Sequence, residues 1–216
     1  MKEILPGVFL EGKKLYTRNL AKGVRHFDEQ LVMHEGVEYR NWDPRSSKLA
    51  TVILKGMKPE LNAGSKVLYL GSAHGYTVSY VSDVVRDGFV FAIDFAPRVV
   101  RDLVFVAEAR PNMAVLLADA SRPESYYHLV SAAEFVYQDI AQRHQVKIFL
   151  RNISLFLRKG GTACIAVKSR SIDSVREPKK IFAEVRKALE AELRVMDSRL
   201  LEPYQKDHCM FLCRRK

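Results

Sequence analysis

The residues with the most chemistry to offer recur just after short apolar runs. Val67-Leu68-Tyr69-Leu70 leads into Gly71-Ser72-Ala73-His74-Gly75-Tyr76-Thr77, Phe89 to Ile93 into Asp94-Phe95, and Met113 to Ala118 into Asp119-Ala120. Phe135 to Tyr137 leads into Gln138-Asp139-Ile140-Ala141-Gln142, and Thr162 to Val167 into Lys168. Glycines let a backbone approach a ligand closely, and an Asp after the second strand is placed to accept hydrogen bonds from a ribose diol. Phe95 offers a face to an adenine, and Asp119 a carboxylate to its amino group. Each feature also has a structural reading, since a glycine turn reverses a chain and a strand-end Asp caps a helix. Together they point to an adenosine ligand. The glycine segment is neither GxGxxG nor a Walker A loop, which speaks against a pyrophosphate. S-adenosylmethionine has none, and its amino acid end needs only a close backbone and polar neighbours.

A lysine ending a buried strand is costly unless paired. Asp139 is the expected counterion of Lys168 if their strands are neighbours, either as a plain ion pair at a sheet end or as part of a catalytic site.

These residues need strands to end at one edge of a sheet. Between the apolar runs lie helical stripes: Val78, Val81 and Val85; Val99 to Ala107; Ile148 through Leu157. Alternating strands and helices imply a doubly wound, mostly parallel α/β sheet. A further helix is predicted over Pro178 to Glu192, apolar at Ile181, Phe182, Val185 and Leu189 and basic on its exposed side. The stretch after it reads as two strands joined by a polar turn near Pro203 to Asp207, finishing the sheet antiparallel. Upstream, Gly7-Val8-Phe9-Leu10 and Glu38-Tyr39-Arg40 suggest antiparallel hairpins, hence a small β unit over residues 1–45. A helix from Ser47 to about Met57, with the serine pair as cap, opens the main domain at 46–216.

Composition bounds the partners. The net charge is +10 over 216 residues. Residues 1 to 139 carry 17 Lys+Arg against 17 Asp+Glu and residues 140 to 216 carry 18 against 8, so the surplus lies in the C-terminal third. That asymmetry suits a polyanion, or else a solvated basic face. Cys164, Cys209 and Cys213 fall in apolar stretches without metal-ligand spacing and read as reduced core residues, and no metal is indicated. No apolar run approaches the roughly 18 residues of a membrane span, and the opening MKEILPGVFLEGKK lacks a secretory signal, so a cytoplasmic location is expected.

Arg40-Asn41-Trp42-Asp43-Pro44-Arg45-Ser46-Ser47-Lys48-Leu49, Val67 to Gly71, Phe95-Ala96-Pro97-Arg98-Val99, Tyr137 to Gln142, Ala166 to Asp173, and Leu201-Glu202-Pro203-Tyr204 with Asp207-His208 together resemble fibrillarin, in its archaeal form without a Gly/Arg-rich extension. The resemblance spans nearly the whole chain. It implies a Rossmann-like, seven-stranded S-adenosylmethionine-dependent methyltransferase acting on ribose 2'-hydroxyls of rRNA and tRNA under box C/D guide RNA. A Nop-family scaffold protein and a kink-turn-binding ribosomal-type protein are the implied partners. Family cofactor contacts carry over to the loop Gly71, Ser72 and Ala73, to Tyr76-Thr77, Asp94-Phe95 and Asp119-Ala120, and to Asp139, Ile140, Ala141 and Gln142. The catalytic Lys-Asp-Lys set falls on Lys48, Asp139 and Lys168, with a fourth polar position at His208. Asp94 stands where the family usually has Glu, Tyr76-Thr77 replaces a Thr pair, and His74 replaces a small residue.

On this reading Lys168, flanked by Lys48 and partly desolvated, has a lowered pKa and takes the hydroxyl proton, with Asp139 orienting it. The alternative is a Lys168 that stays charged and stabilises developing negative charge. A non-catalytic RNA-binding subunit is opposed by the intact Lys48, Asp139 and Lys168. A small-molecule methyltransferase or NAD enzyme is opposed by the basic C-terminal third and the missing pyrophosphate loop. No RNA sequence reader is evident, so site choice is expected to come from the guide RNA and its proteins. The segment Tyr126-Tyr127-His128-Leu129 reads equally as a docking surface or a core helix.

Overall fold

The computed structural model describes residues 1–216. Alternating apolar and polar residues near the N-terminus form β1 (Lys2–Leu5), β2 (Val8–Glu11), β3 (Lys14–Arg18), β4 (Leu31–His34) and β5 (Val37–Trp42). They make one antiparallel sheet in the order β1-β2-β3-β5-β4. The β4–β5 turn has positive φ at both Glu35 and Gly36, the twist that a tight hairpin requires.

Helix α1 (Lys48–Leu54) begins where the Ser47 hydroxyl accepts the Ala50 amide hydrogen. The main domain continues with β6 (Lys66–Leu70), α2 (Tyr76–Val84), β7 (Phe89–Asp94), α3 (Pro97–Glu108), β8 (Met113–Leu117), β9 (Ala133–Gln138), α4 (Gln145–Phe156), β10 (Leu157–Lys168), α5 (Ser169–Ile172), α6 (Pro178–Glu192), β11 (Leu193–Leu200) and β12 (His208–Arg215). The seven strands run in the order β11-β12-β10-β9-β6-β7-β8. β12 is antiparallel to both of its neighbours and the rest are parallel. β10 reaches further back than the expected Thr162, to Leu157, through a break in its register against β9.

One apolar core lies between the sheet and α1 and α2, the other between the sheet and α4 and α6. The N-terminal sheet belongs to the first core. Its Val8, Leu15 and Trp42 pack with Leu49, Tyr80 and Val81, and the Trp42 and Tyr80 rings stack at 5.1 Å. Beside them lies a buried charge cluster that sequence reasoning missed. Asp83 on α2 accepts from Arg40 (2.9 Å), Arg110 (2.6 Å) and the Thr17 hydroxyl (2.7 Å), and Arg40 also reaches Glu29 (2.9 Å). All four charged residues are buried, so this cluster links the first sheet to α2 beside the apolar packing.

All three cysteines are free and buried in β10 and β12. Pro123–Ser125 and Tyr127–Leu129 form two short 3-10 turns rather than a core helix: Tyr126 between them is buried against Asn152, while Tyr127 and Leu129 are exposed. No helix is long and apolar enough to cross a membrane.

Candidate active site

The strand order reverses between β6 and β9, because the chain runs outward from β6 to β8 and then returns to the other side of β6. A crevice must open at the carboxyl ends of those two strands. Gly71, just after β6, has φ +81, and a Cβ there would collide with the carbonyl oxygen of Asp139, just after β9. Only glycine lets the two strand ends approach so closely. Ala73 also takes a positive φ, and its amide donates to Asp94 Oδ2 (3.0 Å). Asp94 Oδ1 accepts from the Ala96 amide (3.1 Å), so the short aspartate braces the glycine loop and the start of α3 at once. Each of its oxygens keeps a further acceptor position for a ligand hydroxyl.

The crevice is a cleft of about 270 Å³. Ten of the expected cofactor residues line it: Gly71 and Ala73, Asp94-Phe95, Asp119-Ala120, and Asp139 through Gln142. Phe95 is 64% exposed at the rim, an aromatic face left open to a flat ligand. Ser72, Tyr76 and Thr77 do not line the cleft. Ser72 is buried. Tyr76 turns toward the N-terminal sheet, where its ring meets Phe27 and its hydroxyl accepts from the Asp43 amide. Thr77 donates to Ser47 Oγ (3.1 Å). Tyr76 and Thr77 begin α2, so their backbone N–H groups lack intrahelical partners. Ile93, Ala118, Ser121 and Ile148 also line the cleft and were missed. Ile93 is the next-to-last residue of β7 and Ala118 directly follows β8, a signal the sequence does carry, whereas Ile148 reads only as a helical core position.

At the polar end of the cleft, Lys48 Nζ meets Asp139 Oδ2 at 2.7 Å and Oδ1 at 2.9 Å, with both side chains 24% exposed. This corrects the expected Asp139–Lys168 pair. β9 and β10 are neighbours, but the Asp139 carboxylate goes to Lys48. The packing of α1 accounts for it: Leu49, Val52 and Ile53 share a core with Val67, Tyr69 and Tyr137, which brings Lys48, the first residue of α1, to the end of β9. Lys168 is exposed rather than partly desolvated, since its long side chain carries the charge from the strand end into solvent.

Lys168 pairs across the sheet with His208, the first residue of β12. His208 Nδ1 donates to the Lys206 carbonyl at 2.6 Å, which leaves Nε2 as the acceptor. Burial first, then nearby Lys48 and Lys168, lowers the His208 pKa; the Lys206 bond and Asp139 oppose them. The folded site therefore resists a proton that the unfolded chain takes up as the pH falls below about 6.5, and the stability of the neutral site is lost downward through that window. A His208→Gln protein is expected to lose less stability than the parent between about pH 7 and about pH 5. Thermal melts at both pH values check this; equal losses would refute it.

The segment before Lys48 is held by the loop between β11 and β12, where Gln205 Nε2 donates to the carbonyls of Pro44 (3.0 Å) and Arg45 (3.2 Å). On the same face of the sheet as α4 and α6, a shallow hollow of about 570 Å³ is bordered by Arg143, His144, Lys147 and Arg151. Part of the basic surplus is neutralised there by Arg151–Glu124, Arg176–Glu184 and Arg186–Glu190. Lys147, Lys179, Lys180 and Lys187 are exposed outside any ion pair.

A glycine turn beside a carboxylate at the switch in strand order, with the last strand folded back antiparallel, defines the α/β class of S-adenosylmethionine-dependent methyltransferases. The fibrillarin family model matches residues 1–216. The chain is 47% identical over 219 residues to the fibrillarin-like rRNA/tRNA 2'-O-methyltransferase of Methanothermobacter thermautotrophicus, covering 100% of this chain and 98% of that one. It superposes on fibrillarin of a fibrillarin/Nop5p complex with a TM-score of 0.93 at 37% identity, covering 100% of both chains. Against Aeropyrum pernix fibrillarin with natively bound S-adenosyl-L-methionine the TM-score is 0.86 at 39% identity, covering 93% of this chain and 88% of that one. The chain belongs to the fibrillarin family.

Proposed function

We propose that the chain methylates ribose 2'-hydroxyls of rRNA and tRNA from S-adenosylmethionine. Box C/D guide RNA chooses the site, and the chain is the catalytic subunit of a particle in the cytoplasm. The observation that carries this reading is the cleft at the switch point, which is lined by Asp94, Phe95, Asp119 and Asp139, with Lys48 bonded to Asp139. The bound cofactor supplies an electrophilic methyl on a sulfonium. Asp94 accepts from its ribose diol, Phe95 stacks on its adenine, and Asp119 takes the adenine amino group, since Asp119 Oδ1 is bonded only to the Ser121 amide. Gly71 and Ala73 of the glycine loop would hold its amino acid end, and residues 139–142 wall the cleft.

Lys168 accepts the hydroxyl proton at Nζ or offsets the charge that develops on the oxygen. Asp139 fixes Lys48, and Lys48 and the His208 imidazole frame the acceptor ribose. A Nop-family scaffold protein and a kink-turn-binding ribosomal-type protein hold the RNA; likeness to the fibrillarin of the Nop5p complex supports the first of these partners. Exposed lysines of α6 favour salt-sensitive RNA association.

The deciding experiment is transfer of radiolabelled methyl to target RNA in the assembled particle, with and without guide RNA. Guide-dependent label on the 2'-oxygen is expected, and its absence despite confirmed assembly and cofactor binding would leave a non-catalytic RNA-binding subunit. Two further results are expected. Phe95→Ala should weaken cofactor binding by about 0.5–1.5 kcal/mol, roughly 2- to 12-fold; calorimetric titration with unchanged affinity would remove the stacking role. Lys168→Arg should lower the rate about 10²-fold or more if Lys168 is the base. Substantial activity across a pH–rate profile would assign it the charged role instead.

A further inference from the structure

Lys168 is the last residue of β10, and its peptide lies beyond the ladder with β9, whose last pair is Ile165 with Gln138. On the other edge it is paired to His208. The β9 side should therefore leave a peptide N–H and C=O without strand partners. Gln145, the first residue of α4 and fully buried, fills that place. Its Oε1 accepts from the Lys168 amide (3.3 Å) and its Nε2 donates to the Lys168 carbonyl (3.3 Å), so one side-chain amide stands in for a missing strand residue. The same Nε2 donates to the Gln142 carbonyl at 2.9 Å, and Gln142 lines the cofactor cleft. Gln138, at the end of β9, holds Gln145 in turn by donating to its backbone carbonyl at 2.7 Å.

We propose that Gln145 is a positioning residue for methyl transfer, locking the Lys168 backbone to the Gln142 segment of the cofactor cleft. The inference rests on Lys168 acting at the acceptor hydroxyl. Lys168 is exposed and makes no ion pair, so the bracket on its peptide, together with its pairing to His208, sets where its side chain starts. Gln142 bounds the cofactor side, so the one amide sets the separation between the two halves of the reaction. An in-line transfer is sensitive to that separation, because a displacement of about 1 Å can cost about 10²-fold in rate.

The test is single-turnover transfer in the assembled particle at saturating S-adenosylmethionine, with cofactor affinity and thermal midpoint measured alongside. Gln145→Met keeps the volume but cannot bracket a peptide. It is expected to lower the rate by about 10- to 100-fold while cofactor affinity stays within about 2-fold. In a Lys168→Ala background the same change should cost less than about 2-fold, because its effect acts through Lys168. An unchanged rate in Gln145→Met overturns the proposal. So does a loss that recurs in full in the Lys168→Ala background, or one matched by the loss of cofactor affinity, since each marks general support of the fold. If Gln145→Met does not fold, Gln145→Asn, which keeps the amide one methylene short, decides by the same criteria. A Lys168→Ala protein with full activity would instead overturn the role of Lys168, and that outcome is read without any change at Gln145.

Discussion

Replacing Asp139 with alanine is expected to lower methyl transfer in the assembled particle by about 10²-fold or more, the scale on which a misplaced group costs rate. Asp139 does two things at once. Its carboxylate is the only charge partner of Lys48, which sits at the unfavourable end of a helix dipole, and it lines the cofactor cleft beside the Gly71 turn. Removing it leaves the Lys48 ammonium unpaired beside the cleft, where the proposed function puts the acceptor ribose. Cofactor affinity should fall as well, but saturating cofactor should not restore the rate. Asp139→Asn separates charge from shape, because the amide keeps the volume and one acceptor oxygen. The measurement is single-turnover label transfer in the assembled particle for both variants. Retention of the parental rate by Asp139→Asn would mean that the Lys48 pair is structural and that the charge at this position does not serve the reaction.

The largest effect on stability is expected at Asp83. Its two oxygens take Arg40, Arg110 and the Thr17 hydroxyl in a buried setting, and the Leu20 amide at its half-buried edge. An Asp83→Asn protein keeps the shape but leaves two guanidinium groups with only Glu29 between them. Breaking a buried pair in this way costs about 3–5 kcal/mol, and for a chain of this size the thermal midpoint should drop by roughly 10 °C. Urea unfolding measures the first quantity and a thermal scan the second. Stability within about 0.5 kcal/mol of the parent would show that solvent reaches the cluster and screens it.

How much of this was legible in the sequence depended on whether a signal was local. The helix at Pro178–Glu192 carries its own start, Pro178 at the first position, and its own stripe, so its bounds agree with the expectation. The strand-end residues could be aligned by eye because each followed an apolar run, and most of them line one cleft. The partner of Asp139 could not be found that way. Lys48 lies 91 residues upstream, and nothing in either segment says which of two lysines the carboxylate will take. The packing of α1 against the sheet decided it. Gln145 and Arg40 were missed for another reason: a glutamine in the first turn of a helix and an arginine in an alternating strand both read as surface residues. Only the packed structure shows that Gln145 completes a strand edge and Arg40 meets a carboxylate on another element. Tyr76 was assigned by resemblance, and its side chain instead joins the aromatic contact with Phe27.

The charge cluster around Asp83 also sets an order on folding during synthesis. The first sheet is complete by Trp42, yet Asp83 comes 43 residues after Arg40, and the apolar partners Tyr80 and Val81 come with it. A nascent chain that has made only β1 to β5 carries Val8, Leu15 and Trp42 with nothing to cover them, and an arginine whose second counter-charge has not yet been made. Such a sheet cannot settle early and wait. It must stay pliable, or be shielded from other chains, until α2 emerges and supplies both the apolar cover and the carboxylate.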